Sequence, residues 1–168
     1  MRQRLAGALV CAWLLAGCAD PCANVVGEPT VTIAGSNDDG TNFELFDDGA
    51  ERSLIQGAQL GMHVWLQVRL DGFCSDGVNI DRRVFDDTSG ALLEIQRGPI
   101  RLTDGVSPGS LELEAPLAMQ LCPSDQPIIG QTFRFQVSAE DAQAHADTAE
   151  KTFVARCDSG ACGICAAP

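Results

Sequence analysis

The sequence contains no tyrosine and few aromatic residues of any kind, with 7 Phe and 2 Trp among its 168 residues. Trp13 lies in the N-terminal apolar segment, so Trp65 is the only tryptophan in the rest of the chain. Carbohydrate-binding platforms and aromatic-rich protein interfaces depend on clusters of exposed rings. The scarcity of such rings therefore disfavours both classes of function.

The familiar catalytic and cofactor-binding motifs are also missing. There is no phosphate loop, dinucleotide fingerprint, nucleophile elbow or zinc-protease helix. Asp158-Ser159-Gly160 echoes the nucleophile motif of trypsin-like proteases, but the chain is too short for the two barrels of that fold and has no matching upstream His and Asp. We therefore predict a protein that is not an enzyme and has no cofactor.

Positive charge is scarce, with 11 Lys and Arg against 23 Asp and Glu, a net charge of −12. Arg2 and Arg4 lie in the segment that we interpret as a signal peptide, and its removal leaves 9 basic against 23 acidic residues, a charge of −14. A chain with this charge repels nucleic acid and anionic lipid, so no nucleic-acid partner is predicted. An acidic chain can also accommodate cations such as calcium, but acidity alone mainly serves to keep a protein soluble.

Residues 1–17 have the features of an export signal, because Arg2 and Arg4 precede a short apolar run. That run is too short to span a bilayer, which takes about 20 apolar residues, and no later run is longer. The motif Leu15-Ala16-Gly17-Cys18 closes the segment and resembles the bacterial lipobox. The alternative is a plain secretory signal, cleaved near Ala16 or Ala19.

The lipobox resemblance implies a diacylglycerol on the Cys18 sulfur, cleavage before Cys18 and acylation of the new amino terminus. Several acyl chains together anchor a protein stably. We therefore expect a lipid-anchored protein of the bacterial cell envelope, attached to the membrane through its N-terminal lipid. Ala19, rather than Asp, follows the cysteine, which favours the outer membrane over the inner one.

The cysteine count fits this interpretation. Cys11 lies in the signal and Cys18 would carry the lipid, which leaves six of the eight cysteines: Cys22, Cys74, Cys122, Cys157, Cys162 and Cys165. An even remainder in an exported chain predicts three disulfides, and six cysteines allow 15 pairings that sequence cannot distinguish.

The C-terminal cysteines allow a second interpretation. Cys162-Gly163-Ile164-Cys165 has the spacing of a redox motif or of zinc ligands. A zinc site would combine Cys157, Cys162 and Cys165 with a fourth ligand, for which Cys22, Cys122 or His63 is available. A redox pair should open a helix after a strand, and this motif instead ends the sequence. Disulfides that fasten the tail to the folded domain are the favoured prediction in an oxidising compartment.

Short strands separated by Gly, Asp and Pro dominate the rest of the sequence. The clearest is Met62–Leu70, which alternates apolar and other residues in a period of two, with His63 and Trp65 on the face opposite the apolar row. Phe43–Phe46 is another predicted strand, and Gly98-Pro99 predicts a break between two strands. We predict that residues 139–146 connect a closing hairpin rather than form a helix.

About seven or eight such strands predict an all-β, antiparallel sandwich, braced by disulfides, that resembles immunoglobulin-like and fibronectin-like modules in its pattern. The stretch Ile55–Trp65 is also similar to a motif of uncharacterised bacterial lipoproteins, in which a Gly-Gln-Gly-rich turn and a His precede a strand. That resemblance carries no known function. The expected organisation is a signal peptide (1–17), a lipidated tether (18–28), the sandwich (29–157) and a cysteine-rich tail (158–168).

The remaining polar candidates have simple structural interpretations. A lone histidine without a paired ligand, such as His63, is typical of a structural residue that bonds a loop carbonyl, here at the turn of residues 57–61. His145 is predicted to be a solvated turn residue. Asn37-Asp38-Asp39-Gly40 and Asp86-Asp87 do not meet the EF-hand pattern and are typical of turns.

The sequence thus predicts a non-enzymatic, lipid-anchored envelope module for binding, adhesion or structural support, with another envelope protein as a possible partner. The alternative is a periplasmic metal-binding or thiol-redox protein that uses the C-terminal cysteines with His63 or His145.

Overall fold

The computed structural model describes residues 22–23, 25–36, 42–56, 62–105, 107, 109–115, 117–121 and 128–157. They form eleven β-strands, in chain order β1 (Thr30–Gly35), β2 (Ala50–Ser53), β3 (Ile55–Gln56), β4 (Met62–Asp71), β5 (Asn79–Asp86), β6 (Leu92–Pro99), β7 (Leu102–Asp104), β8 (Ser110–Leu113), β9 (Leu117–Gln120), β10 (Thr132–Glu140) and β11 (Ala146–Arg156). Among these residues there is no helix with the length and apolar content needed to cross a membrane. The predicted signal, Cys18 and the cysteine-rich tail lie outside the described residues.

The strands form two sheets. The first has the order β1-β4-β8-β7, with β3 and β9 also paired to β4, and the second has the order β2-β11-β10-β5-β6. In immunoglobulin nomenclature these orders are A-B-E-D and, after the added edge strand β2, G-F-C-C′. The predicted immunoglobulin-like sandwich is therefore confirmed. One pairing, between β2 and β11, is parallel, so the second sheet is mixed rather than wholly antiparallel.

The number of strands exceeds the predicted seven or eight, because eleven are present in the described residues. The additional strands β2 and β3 are short pieces of four and two residues that pair with longer neighbours, whereas β7 overlaps, at Leu102, the strand that the sequence predicts at residues 100–102 after Gly98-Pro99. Such pieces are too short to show a period in the sequence. Conversely, the predicted strand Phe43–Phe46 contributes only an isolated bridge between Glu44 and Gly35.

The predicted break at Gly98-Pro99 is also absent, because β6 continues through both residues to Pro99. Strand β6 is the edge of the second sheet and pairs only with β5. Proline lacks an N–H group and is tolerated at an edge, where no neighbouring strand needs that donor on its open side. The edge position explains why the sequence signal for a break was misleading.

The core lies between the two sheets, and β4 supplies its centre. Val64, Leu66, Val68 and Leu70 are at most 1 % exposed, as the alternation of this segment predicts. The second sheet contributes three buried phenylalanines, Phe133, Phe135 and Phe153. Strands β4 and β10 correspond to strands B and F, whose disulfide joins the sheets in antibody domains. Both strands are free of cysteine here, so aliphatic and Phe packing joins the sheets instead.

Strand register brings three segments to one end of the sandwich. Thr30 at the start of β1 pairs with Asp71 at the end of β4, and Asn79 at the start of β5 pairs with Glu140 at the end of β10. Residues 22–23 and 25–29, the β4–β5 loop (72–78) and the β10–β11 turn (141–145) therefore share this end. The predicted closing hairpin is confirmed, since β10 and β11 pair from Thr132 to Glu140.

Candidate functional site

A disulfide between Cys22 and Cys74 joins the N-terminal segment to the β4–β5 loop, with their Cα atoms 4.7 Å apart. We call this part of the molecule, comprising residues 22–23, 25–29, 72–78 and 141–145, the disulfide end. Both cysteines belong to the predicted disulfide set. Cys157 at the opposite end is also disulfide-bonded. The other candidates, Cys122, Cys162 and Cys165, lie outside the described residues.

Two glycines allow the β4–β5 loop to hold Cys74 in place. Gly72 has a φ of +75°, and a Cβ atom there would stand 2.7 Å from the carbonyl oxygen of Glu28. Gly77 has a φ of +70°, and its Cβ would meet that of Ala142 at 3.0 Å. Glycine is the residue that adopts positive φ without strain and permits such close approach. The β4–β5 loop therefore packs closely against both the N-terminal segment, at Glu28, and the β10–β11 turn, at Ala142.

The Asp141 carboxylate is the polar centre of the disulfide end. Its Oδ2 accepts the backbone N–H of Cys74 at 2.7 Å, and its Oδ1 accepts those of Gln143 at 2.9 Å and His145 at 3.0 Å. The His145 ring lies against the same carboxylate, with Nδ1 2.8 Å from Oδ2. The Asp141 side chain is fully buried, so these contacts replace its hydration.

These contacts also govern the ionisation of Asp141. Burial desolvates the carboxylate, which would raise its pKa, but the hydrogen bonds from the backbone of Cys74 and from the ring and backbone of His145 outweigh that effect. The net result is a pKa below the ordinary aspartate value of 3.8. Asp141 is therefore held as an anion that links the β4–β5 loop to the β10–β11 turn.

His145 is not the solvated turn residue that the sequence predicts. Its side chain is 38 % exposed, but its ring contacts the Asp141 carboxylate and its Nδ1 stands 3.8 Å from Cys74 Sγ. Sequence reasoning missed this contact because Cys74 is 71 residues away in the chain. The available signal was the spacing Asp141-x-x-x-His145 within a hairpin turn, which lets the Asp side chain bind the turn's own N–H groups.

Cys74, Asp141 and His145 form the one group of three metal-ligating side chains found in the part of the chain that the structure describes. Their ligand atoms all lie within 4.8 Å of one another. The Cys74 sulfur is bonded to Cys22 and is not a thiolate, and thiolate is the form of cysteine that binds metal. With the disulfide intact, this group offers a metal only an imidazole and a carboxylate.

His63, the other histidine candidate, lies on the predicted outer face of β4. Its ring meets the Trp65 ring edge-on, with centroids 5.3 Å apart and planes at 75°. His63 belongs to none of the metal-ligating groups of the described residues. The turn at residues 57–61, which His63 is predicted to shape, lies outside the described residues. Cys157, with which His63 would share a zinc ion in the alternative prediction, is in a disulfide.

Glu94 on β6 carries the charge that acts on His63. Burial lowers the pKa of His63 below 6.5, and the negative charge of Glu94 opposes that shift. Burial likewise lowers the pKa of Arg82, again against Glu94. The Nε of Arg82 and the Nε1 of Trp65 are buried and make no hydrogen bond with the described residues. These side chains belong to none of the metal-ligating groups found in the described residues.

Asp86 has the turn role that its sequence context predicts. Its Oδ1 accepts the backbone N–H groups of Thr88 at 2.8 Å and Ser89 at 3.0 Å, closing the β5–β6 turn. The hydrogen bond from Ser89 is the main cause of its lowered pKa. Its neighbour Asp87 pairs with Arg134 at 3.3 Å, so both carboxylates have protein partners. The other calcium candidate, at residues 37–40, lies outside the described residues.

Comparison with known proteins adds little beyond architecture, since no family model and no curated protein matches this sequence. Among solved structures, the methionine-rich copper resistance protein PcoC from Escherichia coli is 12% identical over 65% of this chain and 89% of its own, with a TM-score of 0.28. Murine CRIg is 12% identical over 79% of this chain and 100% of its own, with a TM-score of 0.34. Similarities this low carry no argument about function.

Proposed function

We propose that this chain is a lipid-anchored, non-enzymatic module of the bacterial cell envelope whose sandwich stands on the membrane with its disulfide end inward. The observation that carries the proposal is the disulfide between Cys22 and Cys74. Cys22 comes four residues after Cys18, the proposed lipidation site. A chain of that length spans at most about 14 Å, so the lipid would be held within that distance of the disulfide end.

The disulfide changes the reach of the tether. Without it, the sandwich would begin at Thr30, twelve residues after Cys18, and the tether could extend to about 40 Å. With it, about 14 Å remain and the domain keeps one end toward the bilayer. The β5–β6 turn at the opposite end would then point away from the membrane, and it and the outer sheet faces would be free for another envelope component.

The charge of the sandwich supports a peripheral position. Asp76 lies in the disulfide end and Asp71 directly precedes its β4–β5 loop, and the mature chain would carry a net charge of −14. Like charge repels an anionic lipid surface within about a Debye length, or roughly 8 Å at physiological ionic strength. The acyl chains would hold the protein by the hydrophobic effect, about 0.8 kcal/mol for each buried CH₂ group, while the folded domain stays off the surface.

A Cys18→Ser variant tests the anchor. We expect it to lose membrane association completely in its native host, because no thioether-linked lipid can form, and its mature mass should lack acyl chains. The control is Cys122→Ser, which leaves the lipobox intact and should fractionate with membranes like the wild type. A Cys18→Ser protein that stays in the membrane fraction with an unchanged mature mass would refute the proposal.

A further inference from the structure

We propose that the disulfide end is a zinc site in its reduced form, with Cys74, His145, Asp141 and Cys22 as the ligands. The inference goes beyond the proposed anchoring function and does not depend on it. Thiolates and an imidazole are the ligands that Zn²⁺ prefers, and a carboxylate is also common. The structure brings these side chains together from the N-terminal segment, the β4–β5 loop and the β10–β11 turn.

The distances suit a small tetrahedral ion. With Zn–S near 2.3 Å and Zn–N near 2.0–2.1 Å, sulfur and nitrogen ligands stand about 3.6 Å apart. Cys74 Sγ and His145 Nδ1 are 3.8 Å apart. His145 Nδ1 and Asp141 Oδ2 are closer, at 2.8 Å, because they now form a hydrogen bond. If a zinc ion took the place of that hydrogen, the distance between the two atoms would increase by roughly 0.6 Å.

The surroundings already provide the support that metal ligands need. Asp141 Oδ1 accepts two backbone N–H groups, from Gln143 and His145, so its carboxylate plane is fixed while Oδ2 faces the cluster. Hydrogen bonds of this kind orient a ligand and raise metal affinity. The His145 side chain is 38 % exposed, and its Nε2 would carry the ring proton when Nδ1 binds the metal.

The chemistry requires a dithiol reductant. One of its thiolates attacks Cys22 Sγ, which belongs to the less buried of the two cysteines, and Cys74 leaves as a thiolate beside His145. The second thiol of the reductant then displaces Cys22. Two electrons and two protons have passed to the protein, and the reductant has become a disulfide. Zn²⁺ binding to the two thiols releases two protons, as metal binding to cysteine generally does.

The Cys22→Ser variant tests the site without any reductant. In a mature chain that also carries Cys18→Ser, it leaves Cys74 as a thiol beside Asp141 and His145 while the other cysteines stay oxidised. We expect this variant to bind one Co²⁺ per chain with thiolate-to-cobalt charge-transfer absorption, and Zn²⁺ to displace the cobalt. Adding His145→Ala should weaken Zn²⁺ binding about 100-fold or more. The matched control, His63→Ala, should leave it unchanged.

A second measurement covers the case in which loss of the disulfide unfolds the variant. In the Cys18→Ser chain with intact Cys22, the thermal midpoint under a dithiol reductant should rise on adding Zn²⁺, and the rise should vanish with His145→Ala. Without reductant, Zn²⁺ should not change the midpoint. The proposal would be overturned if His145→Ala left the affinity for cobalt or zinc unchanged, or if that affinity were the same before and after reduction of the disulfide.

Discussion

We expect Asp141→Ala to lower the free energy of unfolding by about 4 kcal/mol relative to the wild-type chain. The carboxylate accepts three backbone N–H groups and contacts the His145 ring, and its side chain is fully buried. Hydrogen bonds to a charged group contribute about 1.5–3 kcal/mol each, and donors left buried without an acceptor incur a further cost. Water can reach part of the turn after the truncation, so the losses do not add fully.

Urea unfolding followed by circular dichroism measures this loss. Asp76→Ala is the matched control, since Asp76 lies in the neighbouring β4–β5 loop but is exposed, and it should change stability by less than about 0.5 kcal/mol. Equal stabilities for the two variants would mean that Asp141 does not organise the disulfide end.

The same carboxylate predicts a pH dependence with a definite sign. The pKa of Asp141 is lower in the folded state, so its carboxylate binds fewer protons there than in the unfolded chain. Its stabilisation is therefore complete above the unfolded pKa, about 3.9, and is lost as the pH falls through the lower folded value. Asp141→Asn should therefore reduce this loss of stability at low pH, as measured by urea unfolding at a series of pH values.

The double variant Cys22→Ser/Cys74→Ser should lower the free energy of unfolding by about 4 kcal/mol, which lies within the range for large core truncations. The two cysteines are 52 residues apart, and a cross-link closing a loop of that size restricts the unfolded chain by about this amount. The expected loss is entropic in that account, so the core of the folded variant should stay intact. The dispersion of its NMR spectrum should therefore match the wild type.

The Asp76→Ala variant serves again as a control, because it changes the same loop and keeps the disulfide. A double variant as stable as this control would show that the N-terminal segment contributes nothing to the fold as a constraint. It would also remove the physical basis for a short tether. The measurement is urea unfolding of both variants, in the Cys18→Ser background, without reductant.

The sequence predicts the architecture well because the core strands are long. Strand β4 alternates over nine residues, from Met62 to Leu70, and its buried row faces the Phe side chains of β10 and β11. Strands β2 and β3 have four residues or fewer, so no period can identify them. Their positions depend on pairing with distant strands, which a single sequence does not encode locally.

The candidate site was predicted only in part, for a related reason. The cysteine count places Cys22 and Cys74 in disulfides but cannot pair them. The role of His145 depends on Asp141, four residues away, and on Cys74, which the β4–β5 loop brings from 71 residues away. Contacts of this kind arise from the register of β4, β5 and β10, so only the fold reveals them.

The orientation of the sandwich on the membrane is the central claim and can be measured directly. The lipidated protein would be reconstituted in nanodiscs that contain a lipid with a gadolinium-chelating headgroup, and relaxation of backbone amides would be compared at Gly77 and Gly90. The eight residues of β5 separate these glycines by about 26 Å, and paramagnetic relaxation falls steeply with distance. We predict strong broadening at Gly77 and little at Gly90, with a smaller difference in Cys22→Ser/Cys74→Ser. Equal broadening at both glycines in the wild-type protein, or stronger broadening at Gly90, would contradict the account.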